Sequence, residues 1–321
     1  MLPPHKPHMT GPRRLLMAAF LWSLVGACSN HNQARSRHDD SGADVPSHGD
    51  AVAQIPSGSG GTSSSVGSDL DAPSSGGGKG GAAGELAGGD GAVDIGRLSA
   101  IDFSRWALQL PIGNTGAPTT IAPAQLIAGF ANPYFYQAAD GGQVFMDPAT
   151  GITTSGSQHC RTELREMAND TTPAAWPSSG TNTLTVTGKV VQVGGGTSGH
   201  VTIGQVFVSE DSIPLCELEY SNRLGGFELL YEEASGAGSY VDLKTPVALG
   251  ATYTYTLALS SGSLVVAVDG QEVYRRTPSA AIAAKTFYFK CGNYDQTATV
   301  GTISTTPYTV IESYGVSVVH Q

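Results

Sequence analysis

Charge is scarce in this chain: 14% of its 321 residues are Asp, Glu, Lys or Arg, and the formal net charge is −10 at pH 7. That acidic balance excludes a general nucleic-acid binder, which neutralises phosphates with clustered Lys and Arg. Cysteine is scarcer still, with 4 in all. Long apolar runs are missing: Leu15–Ala27 offers 13 residues, short of a bilayer-spanning helix, and no other run reaches that length. No stretch of helical length keeps a 3.6-residue period, and Ala280 to Lys285 gives one short turn at most. Neither metal-ligand spacing nor a phosphate-binding loop is visible, so no cofactor and no metal are expected.

Glycine, by contrast, is abundant at 42 residues, and it is unevenly spread. The first 28 residues read as an export signal. Lys6, Arg13 and Arg14 precede the apolar stretch, which ends in Val25-Gly26-Ala27-Cys28. Small residues running into a cysteine resemble a bacterial lipoprotein box, which implies lipidation of Cys28. The expected location is therefore outside the cytoplasm, as an outer-membrane-anchored lipoprotein or, after ordinary cleavage near Ala27, a secreted protein. Residues 29–96 read as a flexible tether. Ser59-Gly-Gly-Thr-Ser-Ser-Ser65 and Ser74-Ser-Gly-Gly-Gly-Lys-Gly-Gly81 cannot bury enough apolar surface to offset chain entropy. About 65 residues of such chain reach roughly 45 Å. His31, His38 and His48 lie in this stretch and read as scattered, solvated histidines, with a metal-binding tract as the competing reading.

The remaining segment, 97–321, is long enough for one sizeable core. Short β-rich runs recur in it between turn signals, among them Thr183–Val191, Val201–Val208 and Thr252–Leu259. Leu264–Val268 runs through Asp269-Gly270 into Gln271–Tyr274, the signature of a two-residue hairpin. Many short strands without intervening helices predict an all-β sandwich or jelly roll. This segment is itself acidic, with 11 Lys+Arg against 18 Asp+Glu, a net of −7. A polyanion could bind it only at a local basic patch.

Strand alternation nominates two faces for chemistry. In Cys160–Glu166 it groups Arg161, Glu163 and Arg165 on one side, with Leu164 opposite. The competing reading is a solvated edge strand carrying an alternating ion network. In Tyr288–Gln296 it groups Tyr288, Lys290, Gly292, Tyr294 and Gln296, stepped at the glycine to admit a ligand, with Phe289 and Cys291 behind. Here the competing reading is an ordinary exposed strand. A third run, Ile203–Phe207, points Gln205 and Phe207 the same way.

Together these runs resemble the alginate lyases of polysaccharide lyase family 7 over nearly all of Ile101 to His320. The resemblance begins at Trp106-Ala-Leu-Gln-Leu-Pro111 and continues through Thr153-Thr-Ser-Gly-Ser157. Arg161-Thr-Glu-Leu-Arg165 fits the family's R-[ST]-E-L-R motif, and Tyr288–Gln296 fits Y-x-K-x-G-x-Y-x-Q. The third motif departs from the pattern: where the family has Q-[IV]-H, this chain reads Gln205-Val206-Phe207.

The resemblance implies a jelly roll with a concave groove, acting as a monomer on an anionic 1,4-linked uronate polysaccharide by β-elimination. Arg161 and Gln205 would neutralise the uronate carboxylate, and Tyr294 would be the catalytic base and acid. Glu163, Arg165, Phe207, Tyr288, Lys290, Gln296 and His159 would line the substrate. The C5 proton is barely acidic beside a charged carboxylate, so its neutralisation carries the larger share of catalysis.

In mannuronate and glucuronate, H5 and O4 lie on the same side of the ring, and one residue can serve both. In guluronate they lie on opposite sides, and the family's histidine is the expected second base. Phe207 therefore predicts a syn-eliminating enzyme for poly-mannuronate or glucuronan. His159 and His200 stand at strand ends, where either packs on the surface or reaches the groove in place of the missing histidine. A binding module that kept the groove, with Phe207 stacking on a sugar, is the reading from another class. A glycoside hydrolase would need two flanking carboxylates, for which Glu163 and Glu217/Glu219 are the candidates. Cys160 and Cys291 fall on the core side. If their strands are neighbours they could form a disulfide, leaving Cys216 free; otherwise all three are buried thiols.

Overall fold

The computed structural model describes residues 101–304 and 307–321, so the readings for residues 1–28, Cys28 and the tether lie outside the described residues. In chain order the strands are β1 (Trp106–Asn114), β2 (Ala117–Ile121), β3 (Phe135–Gln137), β4 (Gln143–Pro148), β5 (Thr150–Gly151), β6 (Thr162–Glu166), β7 (Trp176–Pro177), β8 (Thr181–Gln192) and β9 (His200–Val208). They continue as β10 (Ile213–Ser221), β11 (Gly226–Tyr231), β12 (Ser239–Pro246), β13 (Thr252–Ser260), β14 (Ser263–Val268), β15 (Gln271–Arg276), β16 (Thr286–Asp295), β17 (Thr299–Val300) and β18 (Pro307–His320). Two short helices, α1 (Pro123–Ile127) and α2 (Ala280–Ala283), are the α-helices among the described residues. Neither is long and apolar enough to cross a membrane.

Two antiparallel sheets form the sandwich. The first runs β12-β11-β10-β9-β16-β6-β1-β2, with β7 paired to β16; the second runs β15-β14-β13-β8-β18-β4-β3. Short β5 and β17 pair in parallel at one end. Consecutive hairpins alternate with neighbours distant in sequence, as in β16 between β9 and β6, and this is the crossed connectivity of a jelly roll.

Alternation explains the layers. In β13 the buried residues are Tyr253, Tyr255, Leu257 and Leu259, with Thr254, Thr256 and Ala258 between them facing outward. The predicted hairpin closes β14 onto β15 with φ of 48° at Asp269 and 78° at Gly270, the positive values that a two-residue turn needs. The inner faces of both sheets meet in one core that contains Trp106, Phe145, Phe227, Tyr255, Phe287 and Phe289.

Polar ties cross that core where the first sheet is irregular. The Tyr255 hydroxyl donates to the Ile203 carbonyl at 2.7 Å. The Asn293 amide donates to the Phe145 and Thr309 carbonyls at 3.0 and 2.9 Å. Glu166 is fully satisfied inside: it accepts from the Trp176 indole at 2.8 Å and the Phe289 N–H at 2.9 Å, and pairs with His320 at 2.6 Å. His320 thereby joins the end of β18 to β6, the strand that carries Glu163 and Arg165.

Candidate functional site

The R-T-E-L-R segment is not a solvated edge. β6 lies between β16 and β1, and Arg161 and Glu163 are each 3% exposed. The register across the sheet then builds the site. Lys290 pairs with Arg165 on one side and Gln205 on the other, Gly292 pairs with Glu163, and Tyr288 pairs with Phe207. Three strands distant in sequence thus bring Arg161, Glu163, Arg165, Gln205, Phe207, Tyr288, Lys290 and Tyr294 onto the outer face.

Glu163 is the centre of the ionic contacts. Its Oε2 lies 3.1 Å from Arg161 Nη1 and 3.9 Å from Lys290 Nζ, while its Oε1 accepts a hydrogen bond from Gln205 Nε2. Two cations, Arg161 and Lys290, contact this one carboxylate, and Arg165 lies on the same face, cross-strand from Lys290. The local basic patch that an acidic chain needs to meet a polyanion is therefore present. Gln205 Oε1 is buried without a hydrogen-bond partner among the described residues.

Aromatic rings hold the cations from the other side. The Arg161 guanidinium lies 3.6 Å from the Tyr294 ring centroid, and the Arg165 guanidinium 4.4 Å from that of Tyr288. Lys290 Nζ sits 3.8 Å above the Phe207 ring, which packs on Tyr288 with centroids 5.1 Å apart. Phe207 is thus a wall beneath the ammonium. Such cation–ring contacts favour the charged forms when water is excluded.

Tyr294 stands at the rim of this cluster. Its hydroxyl lies 3.1 Å from Ser157 Oγ, and its ring meets the His159 ring edge-on at 6.2 Å. His159 Nδ1 bonds the Ala298 carbonyl at 2.6 Å, which makes Nδ1 the protonated nitrogen. Ala298 is itself held by Asp295, whose Oδ1 accepts the Thr297 and Ala298 N–H groups at 2.7 and 3.2 Å. Gln296 turns away: its amide donates to Thr202 Oγ1 at 2.9 Å. His200 leaves the cationic cluster altogether, with Nε2 3.8 Å from Glu219 Oε2.

That contact belongs to a second, acidic group. Glu217 lies cross-strand from Gln205, Glu219 from Glu228, and Glu228 from Asp242. Tyr240 donates to Glu219 at 3.5 Å and Arg223 to Glu228 at 3.3 Å. A hydrolase reading gains nothing from this arrangement, because Glu163 is taken by three donors and Glu217 and Glu219 sit among other carboxylates.

Two expectations are corrected. Cys160 and Cys291 form no disulfide; with Cys216 they are free and buried. Their strands are neighbours, but the register sets Cys291 against Leu164, four residues from Cys160, which is about 13 Å along the strand. Burial, above all, pushes all three thiols up, Cys216 to about 12, so they stay protonated. Gly292 is not a step for a ligand. Its φ is +131°, and a Cβ there would come within 2.9 Å of the Phe145 ring and the Thr162 carbonyl, on the inner side. It marks the bulge in β16, between Cys291 and Tyr294, that sets the height of Tyr294.

Ser157 and Asp295 are the residues that sequence reasoning passed over. Ser157 lies in an irregular segment, where no periodicity singles a residue out, and Asp295 ends β16 on the inner side, away from the face that alternation nominated. Ser157 belongs to the quoted Thr153–Ser157 run, and its place four residues before Arg161 was the available signal.

The family model described as alginate lyase matches residues 101–320. Among solved structures, alginate lyase A1-II′, a member of polysaccharide lyase family 7, is 30% identical, covering 68% of this chain and 96% of its own, with a TM-score of 0.59. An alginate lyase from Pseudomonas aeruginosa is 28% identical, covering 68% and 100%, with a TM-score of 0.61. The alginate lyase from Klebsiella pneumoniae, at 22% identity and a TM-score of 0.58 over 69% and 97%, shares the fold. No curated protein sequence matches.

Proposed function

The chain belongs to the alginate lyases of polysaccharide lyase family 7 and is a polysaccharide lyase; from that premise we propose that it cleaves poly-β-D-mannuronate or glucuronan by syn elimination, with Tyr294 as both base and acid. The observation that carries this reading is the phenyl ring of Phe207, held between Lys290 and Tyr288. It leaves the face opposite Tyr294 without the motif's proton acceptor.

The chemistry follows from the contacts. A uronate carboxylate entering beside Arg161 meets its guanidinium and the second N–H of the Gln205 amide, whose first N–H is given to Glu163. These donors spread the charge that develops as C5 loses its proton. The Tyr294 phenolate takes that proton, the C5–H electrons form the C4=C5 double bond, and the C4–O4 bond breaks. The new Tyr294 hydroxyl then returns the proton to O4, so the enzyme ends in its starting form. Glu163 acts through its neighbours: it fixes Arg161, Lys290 and Gln205 and is itself a poor contact for an anionic sugar. Arg165, Lys290 and Tyr288 bind the flanking sugars.

In guluronate the C5 proton lies on the far side from O4, where Phe207 cannot accept it. Guluronate blocks are therefore cleaved poorly. The chain works outside the cytoplasm, held to a membrane by a lipid on Cys28 and a tether of residues 29–96.

Ultraviolet absorbance of the unsaturated product tests the reading. The expected result is signal from poly-mannuronate or glucuronan that Tyr294→Phe reduces at least a hundredfold. Retained cleavage in that variant overturns the role of Tyr294.

A further inference from the structure

Ser157 Oγ stands at the meeting point of four polar atoms. Arg161 Nη2 donates to it at 3.1 Å and the His159 N–H at 3.3 Å. Tyr294 Oη lies 3.1 Å away, and the His159 carbonyl 3.0 Å away. A hydroxyl has two lone pairs and one hydrogen. The two N–H donors occupy the lone pairs, so the Tyr294 hydroxyl cannot donate to Ser157 without displacing one of them. The single Ser157 hydrogen goes to Tyr294 Oη or to the His159 carbonyl, whose other lone pair accepts from Thr153 Oγ1 at 2.8 Å. A negative charge on Tyr294 Oη settles the competition in favour of the tyrosine.

We propose that Ser157 is a positioning residue that holds Tyr294 in its proton-accepting form, by donating to the phenolate a hydrogen bond that Arg161 polarises from behind. This rests on the reading of Tyr294 as the base and names what makes a tyrosine a base near neutral pH, far below its ordinary pKa of about 10. Arg161 acts twice: its guanidinium lies against the Tyr294 ring, and one of its N–H groups charges the Ser157 hydroxyl. Removing the serine hydroxyl removes a donor beside the phenolate oxygen and leaves the ring contact intact.

The other charged groups around Tyr294 are few. His159 faces it from the loop before β6, Glu163 is tied to Arg161, and Lys290 shares its strand face. Asp295 and Asp147 lie on the inner side of β16, where the Asp295 N–H meets Asp147 Oδ2 at 3.4 Å. His200 is engaged with Glu219 beyond Gln296.

The test is the pH profile of kcat/KM for the full chain on poly-mannuronate and glucuronan, read beside a phenolate absorbance titration in which the Tyr294→Phe spectrum is subtracted. That subtraction isolates one tyrosine and excludes the titration of His159. Ser157→Ala is expected to move the acid limb and the phenolate signal up together by about one pH unit, roughly tenfold in rate below the limb, with KM unchanged. Ser157→Thr, which keeps the hydroxyl, is expected to restore both. An unshifted limb in Ser157→Ala, or a uniform loss at every pH that the threonine does not rescue, overturns the role of Ser157. Cleavage by Tyr294→Phe overturns instead the reading on which it rests.

Discussion

Glu163 gathers more of the site than any other residue, since Arg161, Lys290 and Gln205 all converge on its carboxylate. Its side chain is 4% exposed and that of Arg161 is 3%, so water cannot replace what a substitution removes. Glu163→Ala removes the carboxylate partner of two buried cations, and losses from breaking such a pair run to about 3–5 kcal/mol. We expect destabilisation of about 3 kcal/mol in denaturant titrations and at least a tenfold loss of kcat/KM. A variant of near-native stability would mean that the three donors position themselves. Glu163, which the motif alone presents as a substrate contact, is by its geometry the residue on which Arg161, Lys290 and Gln205 converge.

At the scale of strands, the site depends on where regular pairing stops. β16 is displaced against β9 between Cys291 and Tyr294, and Gly292 carries that displacement at φ +131°. Gly292→Ala would place a methyl 2.9 Å from the Phe145 ring and the Thr162 carbonyl and strain the backbone as well, a cost of about 1–3 kcal/mol for the conformation alone. The expected outcome is a lower melting temperature with a larger fall in kcat than in substrate affinity, because Tyr294 loses its height above the sheet. An active, equally stable alanine variant would contradict this.

Such irregularities explain what the sequence could convey. Alternation placed Arg161, Glu163, Tyr288, Lys290 and Tyr294 on one face, because period-2 order is local. The Asp269-Gly270 hairpin was legible for the same reason. The register of β6 against β16 was not, since it is set by packing over more than a hundred residues of separation. The Cys160–Cys291 pairing failed on that register alone.

Across the whole molecule, the sheets are joined by buried polar groups that respond to pH. Burial, with the Asp295 carboxylate as second cause, pushes the Asp147 carboxyl well above the usual range. A folded pKa above the unfolded one means that the folded state holds the extra proton. Asp147 therefore favours folding at acidic pH, and that contribution is lost as pH rises through its folded pKa. Asp147→Asn keeps the shape without the charge, and we expect its melting temperature to fall less between pH 5 and pH 8 than that of the parent chain. A parallel fall in both proteins would show that Asp147 does not titrate in this range.

Charge matters at this scale for a second reason. The chain carries a net −10, yet Arg161, Arg165 and Lys290 share one face of the first sheet with Glu163, which pairs with Arg161 and Lys290. The opposite signs of Arg161, Arg165 and Lys290 on one flank and Glu217, Glu219 and Glu228 on the next give the face a direction.

The most direct test of the central claim is the ratio of initial rates on poly-mannuronate and poly-guluronate for the parent chain and for Phe207→His. The account predicts a ratio well above ten for the parent, falling toward one in the variant as the imidazole supplies the second base. Efficient poly-guluronate cleavage by the parent chain, with Phe207 in place, would contradict it.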